Sequence, residues 1–87
     1  MQFLKHPRLT STDKHYLSIL YLMYGRLLWY VSVKILKDKD LAEDAMQQTF
    51  EKVIKKVSLL RSFQNLEMEK QYMYVVARNT ALTMLRV

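Results

Sequence analysis

Leu41-Ala42-Glu43-Asp44-Ala45-Met46-Gln47-Gln48-Thr49-Phe50 sorts its residues onto two sides of a helix. Ala42, Ala45, Met46, Thr49 and Phe50 recur at three- and four-residue steps, and Val53, Ile54, Val57 and Leu60 continue the stripe. That spacing gathers apolar groups along one helical face. The opposite face reads Glu43, Asp44, Gln47, Gln48, Glu51, Lys52, Lys55 and Lys56, with acids first and lysines last, the order that the helix dipole favours. The pattern predicts a helix over about 41–60. Asp40 is its expected N-cap, with Glu43 three residues on in a carboxylate version of the capping box.

The flanking segments repeat the helical period. Leu17, Leu20, Tyr21, Tyr24, Leu27, Leu28, Val31 and Ile35 predict a helix over about 13–36, preceded by an irregular lead-in over 1–11. Thr10, Ser11 and Thr12 are each competent to cap it. Gly25 interrupts the pattern and points to close helix packing, because a mid-helix glycine costs about 1 kcal/mol relative to alanine. Lys34 and Lys37 suit the negative end of the dipole. A third helix, over about 67–85, carries Met73, Val76, Ala77, Thr80, Ala81 and Met84 on its core stripe. A loop from Arg61 to about Glu67 precedes it, with Asn65 as a candidate cap. Short links between three such helices predict an all-α, three-helix bundle over 12–87.

Composition narrows the field. The chain has 87 residues, 51% of them hydrophobic, with one Gly, one Pro and no Cys. Disulfides and thiolate metal sites are excluded, and the scarcity of turn formers disfavours hairpins. No apolar leader is visible in Met1 to Pro7, so a cytoplasmic location is expected. The apolar run from Tyr16 to Leu36 is broken by Arg26 and Lys34 and reads as an amphipathic core helix rather than a membrane span. Residues 1–51 carry 7 basic and 6 acidic side chains, whereas residues 52–87 carry 7 basic and 2 acidic. A basic second half suits a polyanion such as nucleic acid, and also a merely solvated surface.

No catalytic constellation is present. Glu43 and Asp44 are sequence neighbours and diverge on a helix, and His6 and His15 read as solvent-facing. No Gly-rich phosphate loop or metal-binding motif exists, so neither an enzyme activity nor a cofactor is expected. Two binding surfaces are better candidates. Asp44, Gln47, Gln48 and Glu51 form one exposed stripe at i, i+3, i+4 and i+7. Tyr72 and Tyr74 lie near Arg61, Ser62, Gln64, Asn65, Lys70 and Arg78, and this mixture of aromatic, amide and cationic groups suits single-stranded nucleic acid. Each group has a plainer reading as well: a solvated helix face, and half-buried packing tyrosines.

The segment from Leu41 to Phe50, followed by Tyr74-Val75-Val76-Ala77-Arg78-Asn79-Thr80-Ala81-Leu82, resembles region 2 of sigma-70-family transcription factors. The extracytoplasmic-function (ECF) group is the nearer likeness. The resemblance covers roughly Tyr16 to Arg86. It implies that the second helix docks on the β′ clamp helices of RNA polymerase core through Asp44 and Gln47. Gln48 stands where the family usually has Glu, Glu51 continues the stripe, and Ile54 would add an apolar contact at its edge. It further implies that Ser62, Phe63, Gln64, Asn65 and Leu66 form a loop that captures a flipped base of the promoter −10 element. Lys70, Tyr72, Tyr74, Arg78 and Asn79 would line the path of the non-template strand. The family often has Trp where this chain has Tyr72, and the loop is short and lacks Gly, so base preference does not transfer. An anti-sigma factor is a further partner the resemblance implies. The helix-turn-helix domain (region 4) that reads the −35 element in full ECF factors is not in the sequence. Two readings follow: a piece of a longer sigma factor, or a region-2-only regulator that occupies the clamp helices or an anti-sigma factor without initiating transcription. A third reading sets the resemblance aside: a basic helical module that associates through exposed Tyr, Leu and Met side chains, with Val75 and Leu82 among its contacts.

Overall fold

The computed structural model describes residues 9–86, which include four helices and no strand. They are α1 (Ser11–Leu36), α2 (Lys39–Lys55), α3 (Val57–Ser62) and α4 (Leu66–Arg86). The three long helices pack against one another in every pairing, and α3 leans on α2. The expected bundle is present with one short helix added. The lead-in falls largely on residues 1–8, outside the described residues, as does His6.

Thr10 is the residue that caps α1. Its backbone is extended, and its hydroxyl accepts from the Asp13 N–H at 3.0 Å. The helix ends at Lys37, which adopts the left-handed conformation (φ 56, ψ 31) and donates its N–H to the Val33 carbonyl. This closure is the usual work of Gly or Asn. It leaves room for only one extended residue before the next helix. The N-cap of α2 is therefore Asp38, not Asp40: the Asp38 carboxylate accepts from the N–H groups of Asp40 (2.8 Å) and Leu41 (3.0 Å). Asp40 falls instead in the first turn, where its charge meets the positive end of the dipole.

The helix expected to run to residue 60 breaks at Lys56, where the N–H closes onto the Val53 carbonyl at 3.0 Å. No Gly or Pro marks the spot. Beyond it, α3 buries Leu60 completely and packs Val57 partly into the core. Arg61 and Ser62 lie on α3, so the loop shrinks to residues 63–65. Asn65 does cap α4, its side-chain oxygen accepting from Glu67 N–H (2.8 Å) and Met68 N–H (3.2 Å).

Leu17, Leu20, Tyr24 and Leu28 of α1 meet Met46, Phe50, Val53 and Ile54 of α2 and Met73 and Ala77 of α4 in one core. Each fully buried Leu or Phe adds about 1.5–3 kcal/mol. Ala42, Ala45, Ala77 and Ala81 are wholly buried, and small side chains there let the helices approach closely. α1 has the length and hydropathy of a membrane span, yet it is the helix on which both other long helices rest. Gly25 does not mark a tight crossing: a Cβ placed on it would meet nothing nearer than the Tyr21 ring, at 3.7 Å.

One buried charge escaped the sequence reading. Glu69 lies on the buried side of α4, 7% exposed, one turn before Met73. Its carboxylate accepts hydrogen bonds from the Tyr16 hydroxyl and, at 3.0 Å, from the Tyr24 hydroxyl. Burial, reinforced by the hydrogen bond to Glu69 and its negative charge, raises both phenols, Tyr24 to about 12.

Candidate functional site

α2 holds the first candidate surface. Asp44, Gln48 and Glu51 are exposed and Gln47 is half-buried. None of the four side chains makes a hydrogen bond or ion pair among the described residues. Ile54 does not join them. It is 6% exposed and belongs to the core, because its position on the helix continues the Met46–Phe50 stripe inward. Lys52, next to Glu51, is also engaged inward, donating to the Thr80 hydroxyl on α4 at 2.8 Å.

The second candidate set divides. Arg61 pairs with Asp13 at 2.9 Å and lies over the Tyr16 ring, 5.7 Å from its centroid. Its hydrogen bond to Asp13 is the main reason that carboxyl is held below the usual range. The guanidinium thus fastens α3 to α1. Ser62 donates to the Leu59 carbonyl within its own turn. Gln64 is exposed, and the side-chain oxygen of Asn65 is occupied by the cap.

Tyr72 and Tyr74 are two residues apart on α4, about 200° around the helix, and they serve different clefts. Tyr72 meets Phe63 edge-on, with ring centroids 6.0 Å apart. Together with Asn65, Glu67, Met68, Gln71 and Val75 they line an open groove of about 560 Å³. Leu66 stands exposed at the start of the same helix. This groove offers two aromatic rings, two amides, a thioether and the Glu67 carboxylate, but no cation. It suits the face and edge of an uncharged base better than a phosphate. Tyr74 and Arg78 instead line a cleft of about 400 Å³ against Leu27, Tyr30, Val31, Lys34 and Ile35 of α1. Here the cations are present. Lys70 and Asn79 are exposed on α4 and make no hydrogen bond or ion pair among the described residues.

The sequence reading missed Met68 and Gln71 in the groove and Tyr30 and Lys34 in the cleft. The helical period alone would have separated Tyr72 from Tyr74. The α1 contribution depends on how α1 and α4 cross and has no local signature.

The family model for sigma-70 region 2 matches residues 20–87. No curated protein and no solved structure matches the chain. The matched span holds the α2 stripe, the loop after α3 and all of α4.

Proposed function

Because the chain belongs to the sigma-70 region 2 family, whose members bind RNA polymerase and recognise promoters in transcription initiation, we propose that its α2 stripe docks on the β′ clamp helices and that the loop after α3, with α4, captures the unpaired −10 strand. Asp44, Gln47, Gln48 and Glu51 would meet the polymerase, with Ile54 supporting them from the core. Phe63 and Tyr72 would stack on a base drawn out of the duplex, at about 1–3 kcal/mol per stacked base. The Asn65 amide nitrogen, left free by the cap, and the Gln71 amide would read its edge. Tyr74, Arg78, Lys70 and Asn79 would carry the strand backbone beyond it. Arg61 and Ser62, held in local bonds, would shape the loop rather than touch DNA.

The observation that carries the reading is the α2 stripe. Four polar side chains in a row lack any partner among the described residues, in a domain that satisfies its buried polar atoms. The test is binding of core polymerase plus this chain to forked DNA with an unpaired −10 strand, beside fully paired DNA. Preference for the fork, weakened in Tyr72→Ala, is the expected result. Equal binding to both DNAs contradicts strand capture. Polymerase binding with no opening of a supercoiled promoter assigns the chain to the region-2-only alternative, a regulator that occupies the clamp helices. Binding to an anti-sigma factor alone does the same for the other form of that alternative.

A further inference from the structure

The first turn of α4 holds two acids in opposite situations. Glu69 is buried and accepts from the Tyr16 and Tyr24 hydroxyls. Glu67 is exposed, and its carboxylate makes no hydrogen bond or ion pair among the described residues. It lines the groove of Phe63 and Tyr72. Its backbone N–H donates to the Asn65 side-chain oxygen at 2.8 Å, which sets Glu67 beside the cap. Gln71 follows four residues later, one turn along the same side of the helix.

The polar groups of the groove differ in what they offer a ligand. A carboxylate only accepts. The Asn65 side-chain oxygen is taken by the Glu67 and Met68 N–H groups, so its amide nitrogen is left to donate. The Gln71 amide does either. No cation lines the groove to neutralise Glu67. Its charge turns phosphates away, toward Lys34 and Arg78 in the other cleft, and leaves the edge of a base as the group that fits.

We infer that Glu67 makes this groove selective for a base that carries an amine on its pairing edge, and against thymine. The inference rests on the strand-capture reading of the groove. Cytosine offers its N4 amine to the carboxylate and presents N3 and O2 as acceptors for the two amides. Adenine offers N6, with N1 as the acceptor beside it. Guanine offers its N1–H and its N2 amine. Thymine has a single N–H flanked by two carbonyl oxygens, and these meet the Glu67 charge with no compensating bond.

The probe is a forked DNA whose unpaired strand is deoxyuridine throughout, with a single deoxycytidine moved through successive positions. The two bases differ at one ring position, where one has an oxygen and the other an amine. Binding is measured for core polymerase plus this chain, beside the same DNA fully paired. At one position deoxycytidine should tighten binding by about fivefold or more, the value of one good edge contact. Glu67→Gln should bring that ratio close to one, because its amide accepts from an amine and donates to a carbonyl alike. The variant also loses a negative charge and should bind every strand more tightly, an effect that cancels in the ratio. A series in which no position discriminates, or a ratio that persists in Glu67→Gln, overturns the inference. If the deoxyuridine fork then still outbinds paired DNA and Tyr72→Ala weakens it, strand capture stands and amine selection alone is lost. No preference for the fork sinks both.

Discussion

The α2 stripe and the Glu69 network are both polar, and they are opposites. Around Glu69 every polar group has a partner: Tyr16 and Tyr24 donate to the carboxylate, Arg61 lies over Tyr16, and Asp13 holds Arg61. Along α2, Asp44, Gln47, Gln48 and Glu51 have none among the described residues. The first arrangement joins α1, α3 and α4 and belongs to the fold. The second makes no such links among the described residues, and it is the surface proposed to meet the polymerase. A polar side chain in this domain is therefore informative by whether its bonding is complete.

The comparison breaks most readily at Glu69. Glu69→Ala leaves two tyrosine hydroxyls without their acceptor, one of them buried, and should destabilise the domain by about 2–4 kcal/mol. Urea denaturation measures this. A loss under about 0.5 kcal/mol would mean the network is ornamental. Tyr72→Ala probes the groove and should weaken binding to an unpaired −10 strand by about 1–3 kcal/mol, the value of one stacked base. Arg78→Ala should act mainly on the salt dependence of binding, by removing a cation from the second cleft. Titrations of labelled strand at two salt concentrations separate the two effects.

A smaller effect concerns pH. The Tyr24 phenol ionises near 10 when unfolded and near 12 when folded. The folded state thus favours the protonated phenol. Stability from this group is complete below about pH 10 and declines as pH rises toward 12. Thermal melts across that window should show the decline, and Tyr24→Phe should flatten its share of it. Asp13 works in the opposite direction: its folded carboxyl is depressed, so its contribution is present above the ordinary carboxylate range and lost as pH falls through the lowered value. The smallest expected effect is at Lys37, whose φ of 56 suits glycine. Lys37→Gly should raise stability by up to about 1 kcal/mol, with polymerase affinity unchanged.

Periodicity made the bundle and the α2 stripe legible from the sequence, because both are properties of one helix. Asn65 was legible as a cap for the same reason. Asp38 was not, because choosing it over Asp40 requires knowing that Lys37 turns left-handed. The break at Lys56 carries no local mark, since it accompanies the burial of Leu60. Ile54 reads equally well as stripe edge or core until α4 is in position. Glu69 could be recognised only beside Tyr16 and Tyr24, which are 53 and 45 residues away. Contacts made inside one helix were readable, and contacts made between helices were not.

The most direct test of the account is the affinity of this chain for a β′ clamp-helix fragment, measured by calorimetry for the wild type, Asp44→Ala and Gln47→Ala. Both variants should stay within about 0.5 kcal/mol of the wild type in stability, as surface substitutions that break no hydrogen bond or ion pair usually do. The account predicts micromolar or tighter binding by the wild type and at least a tenfold loss in each variant. A well-folded wild type that does not bind, or variants that bind as tightly as it does, would contradict the claim that the unpartnered stripe of α2 is the polymerase-docking surface.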